Sequence, residues 1–347
     1  MALRRIPVVD ARGAGHPSAV AAAERAAETA AILRHARHHY GAPGVAIGDA
    51  LSRRWLARNA SPLAQEVAAV AAVVPGRGAH LLNLSFEWGC TSGVLDAPNP
   101  TLLRVLDWGS LAGLGDALCV IRQAGPAGDW LNIGWPGLAG AITALAPGRF
   151  AIAINQPPLP LTRLGASARR RGWRTTGLLA DWVASRPATW RSRALPPAHL
   201  LRIACDTAPD YAAALALLRD TPVAAAVTFT IAGTRPGEAA VVERARDRAA
   251  LRHGPGLAAA NHWASVGLPG AARWRESESR MARMAELVSH GVVPDGFAWL
   301  APPLLNHGTR LAAVMCPAQG RLELVAHEGE ERVSEVLRLP PPGPMAR

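Results

Sequence analysis

The chain has 347 residues, enough for one large domain or two ordinary ones, and half of them are hydrophobic, which excludes an intrinsically disordered protein. Its 37 basic and 26 acidic residues give a net charge of +11, and because every basic residue is Arg, mechanisms that need a catalytic or phosphate-binding lysine are excluded. The cysteines Cys90, Cys119, Cys205 and Cys316 lie far apart without a CxxC pair, which argues against a disulfide framework or zinc knuckle and fits a reducing cytoplasm.

The positive charge is spread along the sequence. Residues 1–89 carry +4 and residues 90–347 carry +7, and the one dense run is Arg169–Arg171. Such a spread is typical of a solvated surface and not of a nucleic-acid interface, while an anionic substrate or lipid head group at Arg169–Arg171 stays open. No apolar run reaches the ~18 residues of a membrane helix, and the N-terminus lacks an apolar signal core. We therefore expect a cytoplasmic protein without nucleic acid or a membrane span.

The N-terminal part is predicted to be helical. Candidate helices cover residues 17–38, 47–58 and 62–74, and turn residues separate them. The helical pattern ends before residues 79–88, AHLLNLSFEW, which we predict to be a strand leading into Gly89.

Two blocks of strands follow, separated by a helical region. The first block covers residues 101–107, 117–123, 139–145 and 149–155; residues 156–222 are helical and rich in loops; the second block covers 223–233, 238–244 and 257–263. An amphipathic helix at 275–290 and short strands at 311–316 and 322–326 complete the order. Strands in two blocks with helices outside predict a layered α+β sandwich.

The segment with the clearest chemistry runs from Gly89 to Asp107. Cys90 stands at the edge of a strand, next to a glycine and two small hydroxyl residues, and this exposes it to a reactant. Arg104 and Asp107 are charged residues within an otherwise apolar strand, where charge is rare unless it is paired or functional. A nucleophilic cysteine is one interpretation; a buried structural thiol beside an Arg104–Asp107 ion pair is the other.

The sequence resembles a known family along most of its length. The segment GCTSG…RVLDW is similar to the nucleophile region of the N-terminal-nucleophile cysteine hydrolases, the group of acid ceramidase, N-acylethanolamine acid amidase and isopenicillin N acyltransferase. Residues 137–156 resemble their strand pair with a terminal Asn, residues 221–247 their second sheet, and AANHW at 259–263 the segment with their oxyanion Asn. The similar segments follow one order from about residue 81 to about residue 287.

The resemblance implies a four-layer αββα sandwich and self-cleavage between Gly89 and Cys90. Residues 1–89 would form an N-terminal helical segment ending in a strand, and residues 90–347 the catalytic core. After cleavage the α-amino group of Cys90 would serve as the general base, since its ordinary pKa of ~7.7–8.0 suits neutral pH. No Cys-His pair is then needed.

Five further site residues follow from the same resemblance. Arg104 and Asp107 match an Arg-x-x-Asp pattern, with Arg104 favouring the thiolate and Asp107 orienting the amine or thiol. Asn155 and Asn261 would donate side-chain N–H groups to the oxyanion. Asn155 precedes Gln156, where ceramidase-type members carry Glu. Arg280 is the best match to the family's downstream Arg, with Arg273 as its rival.

Other clusters offer less chemistry. Trp88, Trp108, Trp135 and Trp263 adjoin the motifs and line either an apolar acyl pocket or the core. His35, His38 and His39 have helical spacing but no carboxylate at a suitable offset, and Cys119, Cys205 and Cys316 are expected to be core thiols. We therefore predict neither a cofactor nor a metal.

The sequence predicts a self-processing cysteine amidase that acts on a small N-acyl amide and keeps its cleaved N-terminal chain as partner. An acyltransferase that passes the acyl group to an amine would use the same residues. A catalytically idle binding protein on the same fold is a third possibility.

Overall fold

The computed structural model describes residues 3–59, 61–85, 88–246, 248–272, 274–291 and 295–340. Its helices are α1 (Pro17–Glu24), α2 (Ala26–Tyr40), α3 (Ala42–Arg58), α4 (Ala64–Val73), α5 (Ala79–Asn83), α6 (Arg163–Arg170), α7 (Arg174–Arg191), α8 (Pro197–Thr207), α9 (Tyr211–Asp220) and α10 (Ser277–Ser289). A 3₁₀ turn covers Asp295–Phe297.

The strands form blocks between groups of these helices along the chain. They are β1 (Val8–Asp10), β2 (Gly89–Leu95), β3 (Thr101–Asp107), β4 (Cys119–Gly125), β5 (Gly128–Gly134), β6 (Thr143–Ala146), β7 (Phe150–Asn155), β8 (Leu159–Pro160), β9 (Val227–Ala232), β10 (Ala239–Arg244), β11 (Ala249–His253), β12 (Leu257–Ala259), β13 (Gly270–Ala271), β14 (Thr309–Cys316), β15 (Arg321–Glu328), β16 (Glu331–Arg332) and β17 (Leu337–Leu339).

Two large sheets form the middle of the molecule. One has the order β1-β4-β5-β6-β7-β9-β10-β11, and the other has the order β12-β2-β3-β14-β15-β16, with β17 also on β15. The sheets face each other where β2 and β3 contact β7 and β9. Strands β2, β3 and β7 are buried along their whole length, as expected for strands covered on both faces.

Helices cover both outer faces. Helices α1, α8 and α9 pack on the eight-stranded sheet, and α10 packs on β2 and β12 of the other sheet. The inward side of α10 carries Ser277, Arg280, Met284, Leu287 and Val288, the spacing of one helix face. The arrangement is a four-layer αββα sandwich, which confirms the predicted fold class.

Several predicted elements are corrected. Residues 79–83 of the predicted strand 79–88 form helix α5, and the strand begins at Gly89; residues 86 and 87 lie outside the described ranges. The predicted helix 17–38 is divided at Arg25 into α1 and α2. The apolar run at 79–88 that suggested a strand is too short to exclude a single helical turn.

The N-terminal segment is integrated into the sandwich. β1 pairs in parallel with β4. The Ser61 hydroxyl lies 2.8 Å from His199 Nδ1, and the Asn83 amide donates to the Gly137 carbonyl at 2.9 Å. Glu66 pairs with Arg202 at 3.5 Å. Residues 1–89 thus contact the core on several elements. Within the described ranges, no helix has both the length and the apolar character needed to cross a membrane.

Candidate active site

Cys90 is the second residue of β2, at the end of the strand as expected, but it is buried and not open to a reactant. β2 pairs with β12 on one side and with β3 on the other. Across the pair of β2 and β3, Cys90 lies opposite Leu106 and Ser92 lies opposite Arg104. Because side chains alternate along a strand, Cys90, Ser92 and Arg104 point between the two sheets. Cys90 has no exposed surface.

Arg104 is the neighbour of the thiol. Its Nη2 donates to the Cys90 Sγ at 2.8 Å, and its Nη1 donates to the Asn155 Oδ1, also at 2.8 Å. The hydroxyl of Ser92 donates to the same Asn155 oxygen at 2.9 Å and lies 2.8 Å from the Thr230 hydroxyl. Asn155 and Ser92 therefore fix the guanidinium of Arg104 against the sulfur.

Burial raises the pKa of the Cys90 thiol to about 11. The nearby Arg104 acts in the predicted direction and lowers this pKa, but the charge of one arginine does not offset the desolvation of the sulfur.

Asp107 belongs to the opposite face of the sheet. It lies three residues after Arg104 on β3, so the two side chains diverge. Its carboxylate accepts from the Thr309 hydroxyl at 3.0 Å and pairs with Arg280 at 3.3 Å. The suggested ion pair between Arg104 and Asp107 is therefore wrong, and Arg280 is the partner of Asp107. Burial raises the pKa of Asp107, and Arg280 opposes the rise.

Arg280 connects the backbone of Cys90 to the rest of the site. Its Nη1 donates to the Cys90 carbonyl at 3.0 Å and to the Thr91 hydroxyl at 2.7 Å. Its Nη2 donates to the Asn261 Oδ1 at 2.8 Å. The rival Arg273 lies outside the described residues.

Asn261 holds the amide nitrogen of Cys90. Its Oδ1 accepts the Cys90 N–H at 2.9 Å, and its Nδ2 donates to the Gln156 carbonyl at 2.7 Å. The Ser277 hydroxyl, at the start of α10, accepts the Asn261 backbone N–H at 2.8 Å. A different predicted residue thus holds each polar atom of Cys90: Arg104 the sulfur, Asn261 the N–H and Arg280 the carbonyl.

Trp274 packs against Gly89, the residue before Cys90, and sequence reasoning missed it. Its ring stacks on His307 with a centroid distance of 5.4 Å. A Cβ atom placed on Gly89, Gly109 or Gly308 would lie 2.7, 2.6 or 2.3 Å from the indole, so three glycines from separate segments form a cradle for the ring. No local pattern marks Trp274, but the glycines beside the motifs are visible in the sequence.

An apolar cavity lies between the N-terminal helices and the core. Its lining includes Leu33 of α2 and Val70 of α4, together with Trp88, Trp108 and Trp135. Trp108 contacts both other rings, with centroid distances of 5.2 Å to Trp88 and 5.5 Å to Trp135. Trp263, the fourth tryptophan of the predicted set, does not line it.

The other cysteines are buried, as predicted. Cys119, Cys205 and Cys316 are free thiols without appreciable exposure. Burial raises the pKa of Cys119 to about 12 and raises that of Cys205 as well. Within the part of the chain that the structure describes, no group of His, Cys, Asp and Glu side chains is arranged to hold a metal ion.

A family model matches part of the chain. Residues 169–300 match the family described as acyl-coenzyme A:6-aminopenicillanic acid acyl-transferase. The matched range contains Asn261 and Arg280, and Cys90, Arg104, Asp107 and Asn155 precede it. No curated protein matches the sequence.

Solved structures share the fold. An N-acylethanolamine-hydrolyzing acid amidase ortholog of Caenorhabditis elegans matches with a TM-score of 0.51 and 14% identity, covering 72% of this chain and 100% of that chain. A variant of the conjugated bile acid hydrolase of Clostridium perfringens matches with a TM-score of 0.39 and 9% identity, and the match covers 72% of this chain and 92% of that chain. Penicillin V acylase of Agrobacterium tumefaciens matches with a TM-score of 0.37 and 13% identity, covering 72% of this chain and 86% of that chain.

The last two TM-scores lie below 0.5, so the structural likeness rests on the first. Together with the family-model match, it confirms the resemblance noted in the sequence: the chain has the fold of the N-terminal-nucleophile hydrolases, and residues 169–300 are similar to an acyl-transferase family.

Proposed function

We propose that this protein is a self-processing cysteine amidase whose nucleophile is Cys90. One observation carries the proposal: the three polar atoms of Cys90 are each held by a residue from a different part of the chain. A buried structural thiol would not need a buried arginine against its sulfur, because an uncompensated buried charge is costly. The arrangement suits a residue whose sulfur, nitrogen and carbonyl all take part in chemistry.

The first reaction would cut the chain before Cys90. The thiol adds to the Gly89 carbonyl carbon, the Gly89–Cys90 C–N bond breaks as the nitrogen takes a proton, and a thioester joins Gly89 to the sulfur. Water hydrolyses the thioester, giving the Gly89 carboxylate and the free thiol. Asn261, which accepts the Cys90 N–H in the continuous chain, then holds the new α-amine.

Turnover would use the same atoms. The α-amine of Cys90 takes the thiol proton as the sulfur attacks the substrate carbonyl, and it returns that proton to the departing amine. Water then releases the acid from the acyl-thioester. Arg104 faces the sulfur and stabilises its negative charge. Arg280, paired with Asp107, fixes the Cys90 backbone.

The two asparagines have different proposed roles. The Asn155 Nδ2 donates to the carbonyls of Ala259 and Ala260, at 2.8 and 3.5 Å, while its oxygen holds Arg104. It therefore suits positioning of Arg104 better than the oxyanion donation expected from the sequence. The Asn261 Nδ2, whose amide group has two N–H donors, is the stronger candidate for contact with the oxyanion.

The tryptophan-lined cavity supports a substrate with an apolar acyl group. Trp88 lies two residues before Cys90, and Trp108 directly follows Asp107, so the tryptophan-lined cavity adjoins the nucleophile along the chain. Its apolar lining suits the acyl group of an amide. The acyl part would thus bind between the N-terminal segment and the core.

Acyl transfer to an amine is the second candidate. It is favoured by the match of residues 169–300 to an acyl-transferase family. The same acyl-thioester serves both reactions, and the acceptor decides between them.

Electrophoresis and mass spectrometry of the purified protein test the proposal. We expect two chains, 1–89 and 90–347, with the second beginning at Cys90. Cys90→Ala should stay whole and inactive, whereas Cys316→Ala, the matched control at a buried thiol, should be cleaved. Turnover of an acyl-amide library, with and without added amines, then separates hydrolysis from transfer. A whole, active wild-type chain contradicts self-processing; a cleaved chain that leaves Cys90 unacylated by every amide indicates the idle binding protein.

A further inference from the structure

Helices α6 and α7 (residues 163–191) pack together as a helical hairpin at the surface. Gly172, with φ of +82°, makes the turn between the helices. Asp181 of α7 is buried and fixes the start of α6, because its carboxylate accepts from the backbone N–H and hydroxyl of Thr162 at 2.8 and 2.6 Å. The same carboxylate pairs with Arg169 at 2.6 Å. The hairpin is therefore a defined structure.

The hairpin and the residue pair before it expose apolar side chains. Of the eleven large hydrophobic residues that are exposed among the described positions, five lie between residues 161 and 183: Leu161, Leu164, Trp173, Leu179 and Val183. Leu164 is 71% exposed, and Leu179 and Val183, one turn apart on α7, are 60% and 53% exposed. Water is a poor environment for such a cluster, and clusters of this kind mark interaction surfaces.

The same hairpin carries most of the net charge. Residues 163–191 contain seven arginines and one acidic residue, Asp181, which gives +6 of the total of +11. The charge is thus concentrated here, contrary to the even spread inferred from comparing two long segments. Arg163, Arg170, Arg171 and Arg191 are exposed, whereas the one acidic side chain is buried and paired.

We propose that the hairpin docks on an anionic lipid bilayer, lying along the membrane surface with its leucines and Trp173 at the acyl boundary. Amphipathic helices that combine exposed Leu, Val and Trp with arginine have this behaviour, and anionic lipids supply the complementary charge. A second copy of the chain is a poor occupant, because a two-fold contact would place +6 against +6. A nucleic acid would satisfy the arginines but leave the leucines and valine in water.

Vesicle flotation of the full-length protein tests this surface without using the amidase activity. We expect binding to vesicles of phosphatidylcholine with about one third phosphatidylglycerol, and little binding to phosphatidylcholine alone, because each arginine near an anionic surface contributes to the affinity. The double variant Arg170→Gln, Arg171→Gln should bind anionic vesicles roughly 30-fold more weakly. The double variant Leu164→Gln, Leu179→Gln should lose ~10-fold or more.

The matched control is Val73→Gln, at an exposed valine on α4 outside the hairpin, which should bind like the wild type. Circular dichroism of each variant should match the wild type, since all five positions are exposed. Absence of binding to anionic vesicles overturns the proposal. So does unchanged binding by the leucine variant, which would indicate nonspecific adsorption of a cationic protein, and so does a hairpin-dependent dimer that ignores vesicles. An uncleaved or inactive protein that still binds through the hairpin would contradict the proposed function alone.

Discussion

At the scale of single residues, the chemistry of Cys90 is controlled by burial more than by charge. Its thiol lies against Arg104, yet its pKa is raised to about 11 because no water reaches the sulfur. Cleavage before Cys90 would create an amine next to the thiol and open the backbone around it. The precursor would then be a poor nucleophile, and the processed chain a good one.

The first prediction concerns the pH dependence of thiol modification. Below the pKa the thiolate fraction rises ~tenfold per pH unit, so alkylation of Cys90 in uncleaved chains should still be rising at pH 10. In cleaved chains, where the amine accepts the proton, the rate should level off near neutral pH. Mass spectrometry of the Cys90 peptide at several pH values measures both. The buried Cys119, whose pKa is about 12, is the internal reference and should react more slowly. A flat profile in uncleaved chains contradicts the raised pKa.

The second prediction concerns the buried pair of Asp107 and Arg280. Asp107→Asn keeps the shape but leaves Arg280 without its counter-charge, and breaking a buried pair in this way costs about 3–5 kcal/mol of the free energy of unfolding. Activity should fall ~100-fold or more, because Arg280 also holds the Cys90 carbonyl. Denaturant unfolding and amide turnover measure the two effects. Glu286→Gln removes the partner of Arg283 from an exposed pair and should change neither. An Asp107→Asn protein as stable as the wild type would show that the pair contributes no stability.

The burial that underlies this prediction was not readable from the sequence. Arg104 and Asp107 are fully buried inside a sheet. The motifs identified the site residues themselves. They did not identify the hydrogen-bond and ion-pair partners of those residues, because these partners depend on the strand register and on the helix that covers the sheet.

At the scale of elements, the turn before α10 packs against the residue that precedes Cys90. Trp274 lies there, and the chain then passes through Glu276 in the left-handed region, with φ of +53°, before the helix begins. Such a conformation is costly for a residue other than glycine and persists only where the surroundings hold it. The turn that positions Trp274 over Gly89 also leads into the helix that positions Arg280. One segment therefore packs against Gly89 and fixes the backbone of Cys90.

The third prediction is that Trp274 keeps the start of β2 closed and thereby slows the reaction of Cys90. Trp274→Ala should raise the rate of Cys90 alkylation ~10-fold or more, since a buried group reacts only as fast as the surrounding structure opens and the indole packs against Gly89. Gly308→Ala should act in the same direction, because its Cβ would lie 2.3 Å from the indole and displace the ring. Trp274→Phe, which keeps an aromatic ring against Gly89, is the control and should stay near the wild-type rate. If all three variants react like the wild type, the packing of Trp274 does not limit the opening that exposes the sulfur.

Element prediction from the sequence succeeded where periodicity was long. The strands near residues 101–107, 150–155, 227–232 and 239–244 and the helix near 277–289 are present. The prediction was wrong at residues 79–83, where a short apolar run forms a helical turn. It also left α6 and α7 unresolved, because their apolar side chains face outward and give no core-facing stripe.

At the scale of the whole molecule, the contact between the N-terminal segment and the core contains a buried histidine. His199 of α8 has no exposed surface and contacts Ser61, and burial lowers its pKa to about 3, with Arg202 adding to the effect. The unfolded chain protonates this histidine near its ordinary pKa of ~6.5. The folded state is therefore fully favoured above pH 6.5 and loses stability as the pH falls from there towards 3.

The fourth prediction is acid sensitivity of this contact. Between pH 6.5 and pH 4 the free energy of unfolding should fall by up to about 1.4 kcal/mol per pH unit from this group. His199→Gln should flatten that part of the profile, whereas His16→Gln, at an exposed position, should leave it unchanged. Urea titrations at several pH values give the slopes. Parallel profiles for His199→Gln and the wild type would assign the acid sensitivity to other groups.

The pairing of β1 with β4 has a consequence for solubility. β1 is the edge strand of the eight-stranded sheet, and β4 lies next to it. A chain of residues 90–347 made alone would expose the N–H and C=O groups of β4, beside the apolar surface of Cys119 and Ile121 that Val9 and Ala21 normally cover. An unpaired, apolar edge of this kind recruits strands from other molecules, so the isolated core should aggregate. Residues 1–89 would then prevent this edge from pairing with other molecules. Co-expression of residues 1–89 with residues 90–347 should therefore keep the core soluble.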